Sequence, residues 1–170
     1  IRLSMDVGFN GARLHQKVFE RWFLYYADKM GYLCYGEYAS WGFDYTKEEN
    51  SNIYIREWLE SVKRDYNHPC IIGWIPMNEN WDIKGIHQSN SFVRAVYEAT
   101  KTYDETRPVI DVSWNYHVVT DIFDTHDYMQ DLTEFSKKFA HFNDGEGYDQ
   151  YNQKYEGQPY FLSEYGGIGW

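Results

Sequence analysis

The chain is 170 residues long, enough for one domain with a buried core. Its formal net charge is −10, from 16 Lys and Arg against 26 Asp and Glu, with no basic stripe, so nucleic acid is not an expected partner. No apolar run approaches the roughly 18 residues of a membrane helix, so no membrane partner is expected either.

Taken in chain order, short apolar runs alternate with helical stripes. Residues 1–5 read as the tail of a helix, with no secretory leader. Residues 9–15 read as a strand. Phe19, Trp22, Phe23, Tyr26 and Met30 then recur at helical spacing, and Gly31 is placed to end that helix. Residues 32–37 form the next strand. Ser51 or Asn52 can cap a helix whose stripe is Ile55, Trp58, Leu59, Val62 and Tyr66. Residues 70–77 are a continuous apolar run, as expected of a strand buried on both faces. A third helix spans about residues 89–103, with Phe92, Val96, Ala99 and Tyr103 on one side. Strands follow at 109–113 and 122–126. Leu132, Phe135, Phe139 and Phe142 mark a fourth helix. After a polar, Gly- and Tyr-rich stretch, the last strand covers 160–164.

Strands alternating with helices imply an α/β fold with a parallel sheet. Polar residues gather just after the strands: Glu37, Asn78-Glu79, Trp114, His126-Asp127-Tyr128 and Glu164. In a (β/α)8 TIM barrel that rim carries the active site. An open doubly wound sheet would show a Gly-rich phosphate loop after its first strand, and there is none. The connection between the strands at 109 and 122 is too short for an ordinary parallel crossover, so the barrel is expected to be irregular there. Cys34 and Cys70 lie in apolar runs. They read as buried thiols, with no disulfide or metal role, and suit a reducing, cytoplasmic setting.

Two strands end in a glutamate. Ile71-Ile72-Gly73-Trp74-Ile75-Pro76-Met77-Asn78-Glu79 is one, and Pro159-Tyr160-Phe161-Leu162-Ser163-Glu164 is the other. An apolar surround, here expected from Trp74 and Trp81, disfavours the charged form of a carboxyl, which suits a general acid. Asn78 is placed to donate to a substrate hydroxyl. Two carboxylates facing each other across one barrel mouth are the parts that glycoside cleavage needs. Taken singly, each glutamate could equally be a solvated charge, Arg13 a structural partner of Glu37, and His15 a core histidine.

An ordered series of motifs resembles the barrel of glycoside hydrolase family 2, the β-galactosidase, β-glucuronidase and β-mannosidase family. The series is Arg13-Leu14-His15-Gln16-Lys17, Tyr25 to Gly31, Glu37, Arg64-Asp65-Tyr66-Asn67-His68-Pro69 with Asn78-Glu79, Thr106-Arg107-Pro108-Val109, and Ser163-Glu164-Tyr165-Gly166. The resemblance implies that Glu79 is the acid/base and Glu164 the nucleophile of a retaining exo-β-glycosidase. It implies that Arg13, His15 and Asn78 bind the sugar or support the nucleophile, and that Tyr128 orients Glu164, with His126 on the same strand. Trp114 and Trp81 are candidate sugar platforms. The residues 1–170 are then one catalytic barrel domain, about strands two to seven, of a larger multidomain glycosidase.

The expected ligand is a β-linked oligosaccharide or glycoside. A β-galactoside is preferred, with a β-glucuronide or β-mannoside as the alternatives, and a non-catalytic carbohydrate-binding barrel as the alternative of another class. No cofactor is expected. His117, His126 and Asp127 fit no standard metal spacing. Ala39-Ser40-Trp41-Gly42 lacks the acid and histidine that hold Mg²⁺ in some relatives, so no metal is expected.

Overall fold

Helix α1 (Arg2–Asp6) leads into strand β1 (Gly11–Arg13), and α2 (Arg21–Met30) into β2 (Leu33–Glu37). Helix α3 (Ser51–Asp65) precedes β3 (Ile71–Ile75) and β4 (Met77–Asn78). Helix α4 (Asn90–Tyr103) precedes β5 (Val112–Ser113) and β6 (Phe123–Asp127). Helix α5 (Leu132–Lys138) comes before β7 (Tyr160–Tyr165). The structure is a computed structural model and describes residues 1–80, 82–114, 116–140 and 153–167.

Every ladder is parallel, and strands follow one another in chain order, in three groups: β1-β2-β3, β4-β5 and β6-β7. The expected strand over 70–77 is therefore interrupted. Pro76 has no N–H to give to a ladder, and its carbonyl accepts the Tyr54 hydroxyl at 2.7 Å. The expected strand over 109–113 contracts to Val112–Ser113, with Val109 making a lone bridge to Trp74.

Between β5 and β6, side chains take the place of a crossover helix. Asp111 accepts the N–H groups of Val118 and Val119 at 2.6 and 2.9 Å, and Asp121 accepts that of Val109 at 2.9 Å. His117 lies buried between Asp111 and Asp124, 2.7 and 3.1 Å away. Burial alone would lower this histidine, but the two carboxylates prevail and push it up to about 10. Burial likewise opposes the charge on Asp124, yet bonds from His117, Ser113 and Ser163 hold it at about 2.

The helices keep part of the stripes expected: Trp58 and Val62 of α3 and Phe92 and Val96 of α4 are buried, whereas in α2 the fully buried residues lie off the stripe. In α3 the buried residues are Ser51, Tyr54, Trp58, Val62 and Asp65, and the cap position is Asn50 rather than Ser51 or Asn52. In α2 they are Leu24 and Ala27, while Trp22 is 67% exposed and packs with Tyr25 and Tyr26. Ser89 caps α4 by accepting from Phe92 N–H, a bond worth about 1 kcal/mol.

The core lies between β1–β5 and helices α2, α3 and α4. Trp58 and Trp74 meet edge to face at 5.8 Å, and their indole N–H groups donate to Thr100 and Asp104. A Cβ at Gly36 would fall 2.6 Å from the Trp74 ring, so only glycine leaves that ring its place. On the other face of the strands, Tyr35 of β2 stacks on Phe161 of β7 at 5.2 Å. A Cβ at Gly73 would strike the Tyr35 ring at 2.5 Å. Strands that share no ladder thus meet through their interior side chains.

Candidate active site

The C-terminal ends of the strands converge on Arg13. Its guanidinium has five N–H groups, and each has an acceptor in the protein. Nε and Nη2 grip Glu37 at 2.6 and 3.0 Å, Nη2 also reaches Asn78 Oδ1 at 2.5 Å, and Nη1 reaches Glu164 Oε1 at 2.7 Å and His126 Nε2 at 3.1 Å. One residue of β1 therefore ties β2, β4, β6 and β7 together. Burial pushes the Glu37 carboxyl up, while Arg13, the Gln16 N–H and His15 pull it down. Burial works against the Arg13 charge too, but Glu37, Asp124 and Glu164 together outweigh it and raise the guanidinium.

Glu79 follows β4 directly. Its N–H joins the Ser113 carbonyl at 3.0 Å, extending the β4–β5 pairing by one residue, and its backbone is left-handed at φ 40°. That turn brings the carboxylate beside β6, where His126 Nδ1 lies 2.6 Å from Oε1. Trp74, expected beside Glu79, instead lies in the core against the helices.

Glu164 sits within β7. Besides Arg13, the Tyr128 hydroxyl donates to Oε2, and His15 Nδ1 is 3.4 Å from Oε1. Burial and then Glu164 push the Tyr128 hydroxyl up, so it remains a donor. A carboxylate oxygen of Glu79, one of Glu164 and a ring nitrogen of His126 all lie within 4.8 Å of one another.

The remaining expected residues fall around this pair. Asn78 is fully buried, and its Nδ2 has no partner among the described residues. His15 is half-exposed at the mouth. Trp114 adopts a left-handed backbone (φ 60°) and stacks on His126 at 5.5 Å. Trp81 lies outside the described residues. Sequence reading missed Ser113, Asp124 and Ser163, which form a buried cluster beneath His126: Ser113 Oγ is 2.6 Å from Asp124 and 3.0 Å from His126, and Ser163 also reaches Asp124. Their only sequence signal is small or acidic residues inside apolar strands, which marks many sites with no function.

Residues 25–168 match the family described as "Glycosyl hydrolases family 2, TIM barrel domain". The chain belongs to glycosyl hydrolase family 2. Among its relatives, a β-galactosidase of Thermoanaerobacter pseudethanolicus is 28% identical over 76% of this chain, and one of Vibrio cholerae is 31% identical over 64%. The chain spans 17% and 11% of the length of those two proteins. Among solved structures, the fold resembles a β-glucuronidase of Dictyoglomus thermophilum (TM-score 0.70, 21% identity, 96% of this chain and 31% of that one). It also resembles Bacteroides uniformis β-glucuronidase 2 covalently bound to cyclophellitol-6-carboxylate aziridine (TM-score 0.72, 21% identity, 96% and 21%). The family match makes this a TIM-barrel domain of a glycoside hydrolase.

Two groups of side chains have ligand-type atoms within 4.8 Å among the described residues: Asp28, His68 and Cys70, and the Glu79, His126 and Glu164 set. Both are held by hydrogen bonds within the protein. Asp28 accepts from Cys70 N–H and pairs with His68, and the site glutamates pair with His126, Arg13 and Tyr128.

Proposed function

We propose that this domain is the catalytic part of a retaining exo-β-glycosidase acting on β-galactosides, with Glu79 as acid/base and Glu164 as nucleophile. The observation that carries the reading is the close approach of the two carboxylates, with oxygens within 4.8 Å. Retaining enzymes place their carboxyl groups about 5–5.5 Å apart, whereas inverting ones leave about 6.5–9.5 Å for a water. In this reading Glu79 gives its proton to the glycosidic oxygen while Glu164 attacks the anomeric carbon. Water, deprotonated by Glu79, then releases the sugar.

Arg13 and Tyr128 hold Glu164 in line for attack. Asn78 Nδ2, a buried donor without a partner among the described residues, suits a sugar hydroxyl, since leaving it unpaired costs about 1–3 kcal/mol. His15 stands at the mouth, where a sugar would meet it. The chain is then read as six barrel strands, the second to the seventh, with β3 and β4 together forming one. The three ladder groups in chain order and the contact between β2 and β7 side chains support that count.

Galactose is preferred over glucuronate because a substrate carboxylate calls for a free cation. Arg13 is the one lysine or arginine hydrogen-bonded to Glu37, Asn78, Glu79, His126 or Glu164 among the described residues, and its donors are all occupied. The non-catalytic reading is disfavoured by the presence of both glutamates.

A panel of chromogenic aryl β-glycosides on the full-length protein tests the sugar. Turnover of the galactoside well above the glucuronide and mannoside is expected, and the reverse order overturns the preference. A 2-deoxy-2-fluoro galactoside with a good leaving group is expected to label Glu164. Label on another carboxylate overturns the mechanism.

A further inference from the structure

We infer that His126 is a positioning residue that decides which oxygen of Glu79 carries the transferable proton. The inference rests on the acid/base reading of Glu79 and adds a residue to it. The ring has no exposed surface, so it acts through its neighbours.

The argument starts from Arg13, which can only donate. Four of its N–H groups are committed to Glu37, Asn78 and Glu164, and the fifth, on Nη1, faces His126 Nε2 at 3.1 Å. Nε2 must therefore present a lone pair. Ser113 Oγ, 3.0 Å away, gives its single proton to the charged Asp124 at 2.6 Å, so Arg13 is the donor that faces Nε2. In the neutral ring the proton is then on Nδ1, and it points at Glu79 Oε1, 2.6 Å away. Trp114 stacked on the ring fixes its plane.

An oxygen that receives an N–H cannot also aim a proton back along the same line. When Glu79 is the acid, its proton is therefore confined to Oε2, which none of the described hydrogen bonds reaches. That proton passes to the glycosidic oxygen as the C–O bond breaks. In the second step a water proton returns to Oε2. The bond from His126 to Oε1 persists through both steps, so the carboxyl does not rotate between them.

The two conservative amides separate this role from a structural one. An asparagine amide falls near Nδ1 of the histidine it replaces, and a glutamine amide near Nε2. On full-length protein with the glycoside identified by the panel, His126→Asn is expected to keep most kcat/KM for an alkyl aglycone. His126→Gln is expected to lose about tenfold or more on the alkyl glycoside beyond its loss on the dinitrophenyl glycoside, which needs little proton assistance. Equal losses on both aglycones, or a glutamine variant better than the asparagine one, would overturn the inference in favour of a scaffold role through Nε2. Neutron diffraction of the unmodified enzyme reads the same point without a variant: deuterium on Nδ1 supports it, and deuterium on Nε2 alone refutes it. Glu79→Ala is the control. If that variant hydrolyses the alkyl glycoside normally, the acid/base reading itself fails. If it does not, and the amides do not differ as expected, only the role of His126 fails.

Discussion

The two glutamates reach the same mouth by different means. Glu79 extends β4, a strand buried at both residues and laddered to β5, and the core of Trp58, Trp74 and Phe92 lies behind it. Glu164 belongs to β7, none of whose residues is fully buried and which ladders with β6 alone among the described residues. Its carboxylate is located by side chains reaching across the interior, chiefly Arg13 and Tyr128. Glu79 is set by its backbone with one partner, His126, on its carboxylate, whereas Glu164 depends on Arg13 and Tyr128. Substitutions of Arg13 and Tyr128 should therefore disturb the nucleophile more than the acid/base.

The largest expected effect removes the residues themselves. Glu164→Gln is expected to cost roughly four orders of magnitude in kcat on every substrate, because no covalent intermediate can form. Glu79→Ala is expected to cost about 10²–10⁴-fold on poor leaving groups and far less on dinitrophenyl glycosides, with azide restoring turnover of the latter. A uniform loss without azide rescue would break the assignment.

Next comes Arg13→Met, which leaves Glu37 buried and unpaired. About 3–5 kcal/mol of stability is expected to go, read as a lower denaturant midpoint. Hydrogen exchange should speed up in β6 and β7 before β4 and β5. Uniform loss of protection would show that the two glutamates share one kind of support.

The β5–β6 connection responds to pH at both ends of the scale. His117 is raised, so its contribution is complete below about pH 6.5 and is lost as pH climbs through about 10. Asp124 is depressed, so its contribution is complete above about pH 3.8 and is lost as pH falls through about 2. Unfolding free energy should therefore peak between about pH 4 and 6.5. His117→Gln should flatten the alkaline fall, and a wild-type curve that rises from pH 7 to 9 would contradict this.

The smallest effect is that of Tyr128→Phe. The residue is half-exposed, and about 1 kcal/mol, or five- to tenfold in kcat, is expected. Thermal stability should scarcely move, which a melting curve would check.

The strand order was legible because apolar runs end abruptly in polar residues, and parallel topology puts such ends on one rim. The glutamates were visible for the same reason, whereas Arg13 entered only through the family resemblance. The buried face of α2 was not, because Trp22, Tyr25 and Tyr26 count as apolar whether they face the core or one another. Pro76 stood in plain view, yet the apolar run around it masked its effect on the ladder. The Asp111 carboxylate that replaces a helix leaves no period to detect. The role of His126 depends on how Arg13 distributes its five donors, which only the folded arrangement reveals.

The left-handed backbone at Glu79 carries a cost that glycine would not bear, on the order of 1 kcal/mol. A Glu79→Gly chain would relax that turn and rid the interior of a half-buried carboxylate. With water taking the place of the carboxylate beside His126 Nδ1, it is expected to melt close to the parent. A laboratory selection that rewards thermal survival alone would therefore drift at this position toward folded, inert protein, and any screen for hardier variants needs turnover in its readout.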